Sequence, residues 1–170
     1  VGEQDAEGVW GLLMEACAQA GGTVVAVHAR KAWLEGLSPK ENRDVPPLDY
    51  ALVYRIKRER SALTILVNGG IETLEQAEDH LRHVDGVMLG RAAYQDPAML
   101  AQVDARFFGG AVRDIDDAVE KYCLYVERKL AEGVRLNSMT KHMLGLYHGR
   151  PGARAFRRTL SENACRSGAG

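Results

Sequence analysis

The chain has 170 residues, 46% apolar and 26% charged, a balance typical of soluble globular domains. No apolar run approaches the roughly 20 residues of a membrane span and no signal-peptide pattern opens the chain, so no membrane partner is expected. Cys17, Cys123 and Cys165 are scattered, odd in number and without metal-ligand spacing, which argues against a disulfide framework or a metal centre and makes a reducing cytoplasm the default setting.

The first predicted element is a helix over Glu7 to Ala20, where Val9, Leu13, Cys17 and Ala20 share one face. Gly21-Gly22 ends it. Thr23 to Val27 is a short β-branched run suited to a buried parallel strand. Leu48, Leu52 and Ile56 then mark a helix from Leu48 to Glu59. A strand over Leu63 to Val67 runs into Asn68-Gly69-Gly70, and a helix follows from about Thr73 to Leu81. Thr73 is the expected N-cap, with Gln76 completing a capping box. A third strand, Gly86 to Leu89, runs into Gly90-Arg91 and a helix from about Ala92 to Gln102.

These strands form a βαβαβ series, which predicts a parallel sheet. Glycine turns at two successive strand ends are the pattern of a phosphate site on the last strands of a (β/α)₈ barrel. Glycine admits close approach of an anion, helix starts supply N–H donors, and Arg91 can pair two phosphate oxygens. Asn68-Gly69-Gly70 or Gly90-Arg91 taken singly is a common turn; their recurrence about 20 residues apart gives the signal. Three strands cannot close a barrel of eight, and the chain opens abruptly, so it is expected to be the C-terminal part of a longer protein.

After Phe107-Phe108-Gly109-Gly110 the pattern becomes helical, with helices expected over Ile115 to Glu132, Leu136 to Tyr147 and Pro151 to Asn163, Pro151 sitting in the first turn of the last. The expected division is therefore an α/β region over 1–110, the C-terminal part of a TIM barrel, and a small all-helical domain over 111–170. Charge divides the same way. Residues 1–110 carry 11 Lys+Arg against 16 Asp+Glu, a net of −5; residues 111–170 carry 11 against 7, a net of +4. A basic helical region suggests a polyanionic partner, with a solvated helix surface as the bland alternative.

The stretch Val27-His28-Ala29-Arg30-Lys31-Ala32-Trp33 sits at a strand end, and the long loop after it carries Lys40 and Arg43. Cations interleaved with an aromatic suit phosphates and a stacked base. His28 alone reads equally well as a hydrogen-bonded core histidine. Arg154, Arg157 and Arg158 fall at i, i+3 and i+4, so on a helix they share a face whose mutual repulsion an anion would relieve. Lys141 and His142 are candidates for the same surface, while Met139, Met143, Leu144 and Leu146 read as core. No acid–base set stands out, and no catalytic residue is assigned.

Together, VHARKAWLEGLSPKENRDVPPLDY at 27–50, VNGGIETLEQA at 67–77, DGVMLGRAAYQDP at 85–97 and HMLGLYHGRPGARAFRRTLSENA at 142–164 resemble the tRNA-dihydrouridine synthase family, most closely its A subfamily. The resemblance implies a flavin enzyme with an N-terminal (β/α)₈ barrel and a C-terminal helical domain that grips tRNA. It implies that NADPH reduces FMN and that hydride passes to C6 of a D-loop uracil, at positions 20 and 20a for this subfamily. His28, Asn68, Gly69, Gly70, Gly90 and Arg91 match the FMN-contacting set, Lys40 and Arg43 the tRNA-contacting loop, and Arg154, Arg157 and Arg158 the helical-domain contact. The family's proton donor to uracil C5 is a cysteine in the first half of the barrel, and none of Cys17, Cys123 and Cys165 lies in that motif. This chain alone is therefore expected to be inactive. Two alternatives remain at this point: a phosphate-binding TIM-barrel flavin oxidoreductase acting on a small metabolite, and a non-catalytic RNA-binding module.

Overall fold

A computed structural model describes residues 6–31, 33, 36–166 and 168–169, and the side chains of Ala6, Glu7, Val9 and Arg43 lie outside the description. The chain divides into two compact units, residues 1–71 with 75–89, and residues 72–74 with 90–170.

The first unit holds three parallel strands, β1 (Val24–His28), β2 (Thr64–Asn68) and β3 (Gly86–Met88), in the order β1-β2-β3. The predicted parallel sheet is present, with Val24 opposite Thr64, His28 opposite Asn68 and Leu66 opposite Gly86. The register explains Gly86: a Cβ there would sit 3.0 Å from the Leu66 side chain. Alternate residues of β2 face the core, and Ile65 and Val67 are fully buried beside Val27. That alternation departs from the uniformly buried strand expected of β1, whose Val24 is 59% exposed.

Helices α1 (Ala6–Gln19), α2 (Tyr50–Glu59) and, from Glu75 on, α3 (Leu74–Leu81) complete this unit. Helix α2 was expected to begin at Leu48, but Leu48 is bridged antiparallel to Arg30, and Asp49 caps the helix by accepting the Leu52 N–H at 2.9 Å. The amphipathic α2 buries Val53 and Ile56, and Met14 of α1 is buried too. Beside the start of β2, the Lys57 ammonium donates to the Ser61 and Leu63 carbonyls and pairs with Asp85 at 2.8 Å. Asp85 also accepts the Ile65 N–H. That bonding, first of all with Lys57, holds its carboxyl below the usual range.

The second unit is helical: α4 (Arg91–Gln95), a 3₁₀ turn over Pro97–Gln102, α5 (Val103–Phe107), α6 (Ile115–Ala131), α7 (Leu136–Thr140), a 3₁₀ turn over Lys141–Met143 and α8 (Ala153–Asn163). The single helix expected over 92–102 is broken at Asp96 because Pro97 cannot donate to the ladder and disfavours helix in the residue before it. The helix expected over 136–147 is likewise short. Beyond Thr140 the chain tightens into i→i+3 bonds, Leu146 to Met143 and His148 to Gly145. Gly145 lies so close to the backbone of Gln95 that a Cβ there would overlap the Gln95 carbonyl. Helix α8 starts after Gly152, whose φ of 87° is left-handed, so Pro151 precedes the helix rather than filling its first turn. Helix α6 agrees with expectation, and Asp114 caps it by accepting the Asp116 and Asp117 N–H groups. Among the described residues no strand follows β3.

Candidate functional site

The sheet unit gathers its polar groups where the three strands end. Asn68, the last residue of β2, donates from Nδ2 to the Met88 carbonyl at 2.7 Å, and its own carbonyl accepts the Ala29 N–H at 2.8 Å. One side chain and one peptide thus tie the ends of β1, β2 and β3 together. With its amide nitrogen committed to Met88, Asn68 offers Oδ1 to His28 Nδ1, 2.6 Å away. An amide oxygen only accepts, so Nδ1 of His28 carries the proton and Nε2 is left for another partner. His28 is exposed in this chain.

Gly69 and Gly70 follow with φ of 112° and 66°, a conformation that favours glycine. Both are crowded. A Cβ on Gly69 would lie 3.1 Å from His28 Cε1, and one on Gly70 would run into Leu48 and sit 3.1 Å from the Tyr50 hydroxyl. Tyr50 donates to the Gly69 carbonyl at 2.7 Å. His28, Asn68, Gly69 and Gly70 are therefore brought together as one constellation at the strand ends. Gly90 and Arg91 belong to the helical unit, where Gly90 precedes α4 with open space around its Cα.

The described residues of the loop after β1 are tied together by hydrogen bonds. Ser38 and Glu41 exchange bonds, Ser38 N–H to Glu41 Oε2 at 2.8 Å and Glu41 N–H to Ser38 Oγ at 3.3 Å. This is a capping box, and its signature Ser38-Pro39-Lys40-Glu41 was readable in the sequence but not singled out. The bonds from Ser38 hold the Glu41 carboxyl below its usual range. Asn42 clamps the Trp33 peptide at both ends, accepting its N–H and donating to its carbonyl, each at 2.8 Å. The Arg30 guanidinium donates to the Asp44 and Pro46 carbonyls, fastening the returning chain to the end of β1. Lys40 is exposed on the capped turn; the Arg43 side chain lies outside the described residues.

In the helical unit Arg154, Arg157 and Arg158 are exposed on α8, and the half-buried Phe156 packs edge-on against Tyr147 at 4.9 Å. Tyr147 donates to Asp116 at 2.6 Å, which foremost raises its hydroxyl pKa. His142 bonds the Tyr94 hydroxyl at 3.1 Å, and Lys141 is exposed. Met139 is buried, as expected, and Met143, Leu144 and Leu146 are half-buried. Cys17 is half-buried on α1, whereas Cys123 and Cys165 are exposed. The sequence did not reveal Tyr50, whose partner Gly69 lies 19 residues on, nor that Arg30 and Asn42 would act as ties within the loop itself. Among the described residues no His/Cys/Asp/Glu group has metal-site spacing, and no helix is long and apolar enough to cross a membrane.

A family profile described as dihydrouridine synthase (Dus) matches residues 5–169. The tRNA-dihydrouridine(20/20a) synthase of Shewanella oneidensis is 59% identical over 146 residues, 85% of this chain and 44% of that protein. The protein of the same name from Xanthomonas campestris pv. campestris is 51% identical over 170 residues, 100% of this chain and 51% of that protein. The Escherichia coli K12 counterpart is 56% identical over 145 residues, 84% of this chain and 42% of that protein. The chain spans about half the length of these curated relatives. With a family profile covering nearly every residue and relatives above half identity, this chain belongs to the dihydrouridine synthase family.

Proposed function

We propose that this chain supplies the FMN-phosphate cradle and the RNA-gripping surfaces of an NADPH-dependent tRNA-dihydrouridine synthase acting on D-loop positions 20 and 20a. The observation that carries the reading is the tie at the ends of β1, β2 and β3. There Asn68 joins three strands, fixes His28 and leads into two left-handed glycines. Such a backbone turn, crowded on one side by Leu48 and Tyr50, suits an anion that must approach the peptide itself. The resemblance adds Gly90 and Arg91 to the phosphate contacts. The names of the relatives support the substrate and the two positions.

On this reading residues 1–110 form the C-terminal part of the (β/α)₈ barrel and residues 111–170 the tRNA-binding helical domain. When bound, FMN reduced by NADPH supplies the hydride that uracil C6 receives. His28 presents its Nε2 to the cofactor, its ring fixed by Asn68 and backed by Gly69. Lys40, Arg43, Arg154, Arg157 and Arg158 bind RNA phosphates, which position the duplex without reading sequence. The target uridine has to leave its stack to reach a buried flavin. None of Cys17, Cys123 and Cys165 is assigned the proton for uracil C5, so this chain by itself is proposed to bind rather than to catalyse, in the cytoplasm. The exposed arginine face of α8 favours this substrate over a small metabolite.

The test is dihydrouridine mapping of tRNA from cells lacking the gene, with complementation by the protein at its natural length. The expected result is loss of dihydrouridine at positions 20 and 20a and its return on complementation. Unchanged modification at every D-loop position would overturn the assignment.

A further inference from the structure

Tyr50 stands outside the set that the resemblance assigns to FMN, yet it bonds directly to the glycine turn. As the first residue of α2 it carries its hydroxyl to the Gly69 carbonyl at 2.7 Å. The peptide between Gly69 and Gly70 is trans and planar, so fixing its carbonyl also fixes the Gly70 N–H, which points the opposite way, away from Tyr50. Without that bond, two consecutive glycines form the part of the turn freest to rotate.

Tyr50 is itself held. Its ring lies 4.3 Å from that of His80 on α3, tilted at 56°. His80 is 8% exposed, and its Nδ1 is 2.6 Å from the Tyr54 hydroxyl. The ring of His83 stacks on Tyr54 at 4.3 Å. Burial, the largest influence, keeps His80 below the ordinary histidine range; nearby Asp79 opposes this and His83 reinforces it. A neutral His80 can accept the Tyr54 hydroxyl proton. The result is a packed series, Tyr54 to His80 to Tyr50 to the Gly69 carbonyl, joining α2 and α3 to the turn.

We propose that Tyr50, braced by His80 and Tyr54, is a positioning residue that sets the Gly69–Gly70 peptide for the cofactor's phosphate. The inference rests on the FMN reading and deepens it. A residue that acts through the phosphate turn affects FMN and spares riboflavin, which has the same ring system and ribityl chain without the phosphate. A residue that merely holds the fold affects both.

The experiment titrates FMN and riboflavin separately into the protein at its natural length, by flavin fluorescence, for wild type, Tyr50→Phe and Tyr54→Phe. Wild type is expected to prefer FMN. Tyr50→Phe, which loses one half-buried hydrogen bond, is expected to weaken FMN about 5- to 10-fold and riboflavin less than about 2-fold. Tyr54→Phe, two contacts away, is expected to weaken FMN about 2- to 3-fold with riboflavin again unaffected, and it carries the test if Tyr50→Phe does not fold. Equal loss of both flavins, or no loss of either, would overturn the positioning role while the phosphate site stands. Equal affinity of wild type for both flavins would instead remove the phosphate site, and this inference with it.

Discussion

At the strand ends, His28, Asn68 and Tyr50 are each held by a short hydrogen bond, whereas on α8 Arg154, Arg157 and Arg158 stand exposed along one surface. The geometry of the first region is fixed by partners from α2, α3 and three strands. The second offers charge on flexible side chains, which suits a long anion that can be met in many registers. A rigid cradle discriminates by shape and fails abruptly when crowded. A charged helix face binds by number of contacts and fails gradually, with strong dependence on salt.

That contrast is broken most severely where backbone meets backbone. Gly145→Ala would drive a methyl into the Gln95 carbonyl in the helical unit, and neither backbone can yield cheaply. It is expected to cost about 3 kcal/mol or more, read as a lowered midpoint of chemical denaturation. Gly70→Ala meets the movable end of Leu48 but must also take up a left-handed φ, and is expected to cost about 2 kcal/mol together with FMN affinity.

The arginine face is sharpened by a triple Gln substitution at Arg154, Arg157 and Arg158. Loss of three phosphate contacts is expected to weaken tRNA binding about 10- to 100-fold near 0.1 M salt and to reduce the slope of log K against log salt by about 2. Filter binding across a salt series measures both, and FMN affinity should not change. An unchanged slope would mean that α8 does not meet RNA phosphates.

Smaller effects come from the supports of the sheet. Lys57→Met removes the donor to the Ser61 and Leu63 carbonyls and the partner of Asp85, and is expected to cost about 1–2 kcal/mol. Asp85 has a folded-state pKa below its unfolded value, so its contribution is complete above the unfolded pKa and is lost as pH falls below about 4. Asp85→Asn should therefore flatten the acid limb of stability against pH. His80 is also depressed, so the folded state resists its protonation, and stability should decline as pH falls below about 6.5. Ser38→Ala, which opens the capping box under Lys40, is expected to cost about 1 kcal/mol at most.

What could be read from the chain beforehand follows from the range of each interaction. The parallel strands, α1, α3 and α6 rest on local pattern and came through within a residue or two. That Asn68-Gly69-Gly70 and His28 would lie at neighbouring strand ends was visible because both follow strand-like runs in a βαβ series. The misjudged helix over 92–102 was cut short by Pro97, a cause written in the sequence. That over 136–147 gives way to a 3₁₀ turn after Thr140, where no proline or glycine signals the change. Tyr50 is the clearest case of a long-range role: nothing in its neighbourhood shows that Gly69, 19 residues on, or His80 would come to lie against it.

The central claim is tested most directly by amide spectra of the protein at its natural length, with ¹⁵N-glycine incorporated, as FMN or riboflavin is added. The account predicts that the Gly69 and Gly70 resonances move strongly with FMN and little with riboflavin. Saturating FMN that leaves both resonances in place would contradict it.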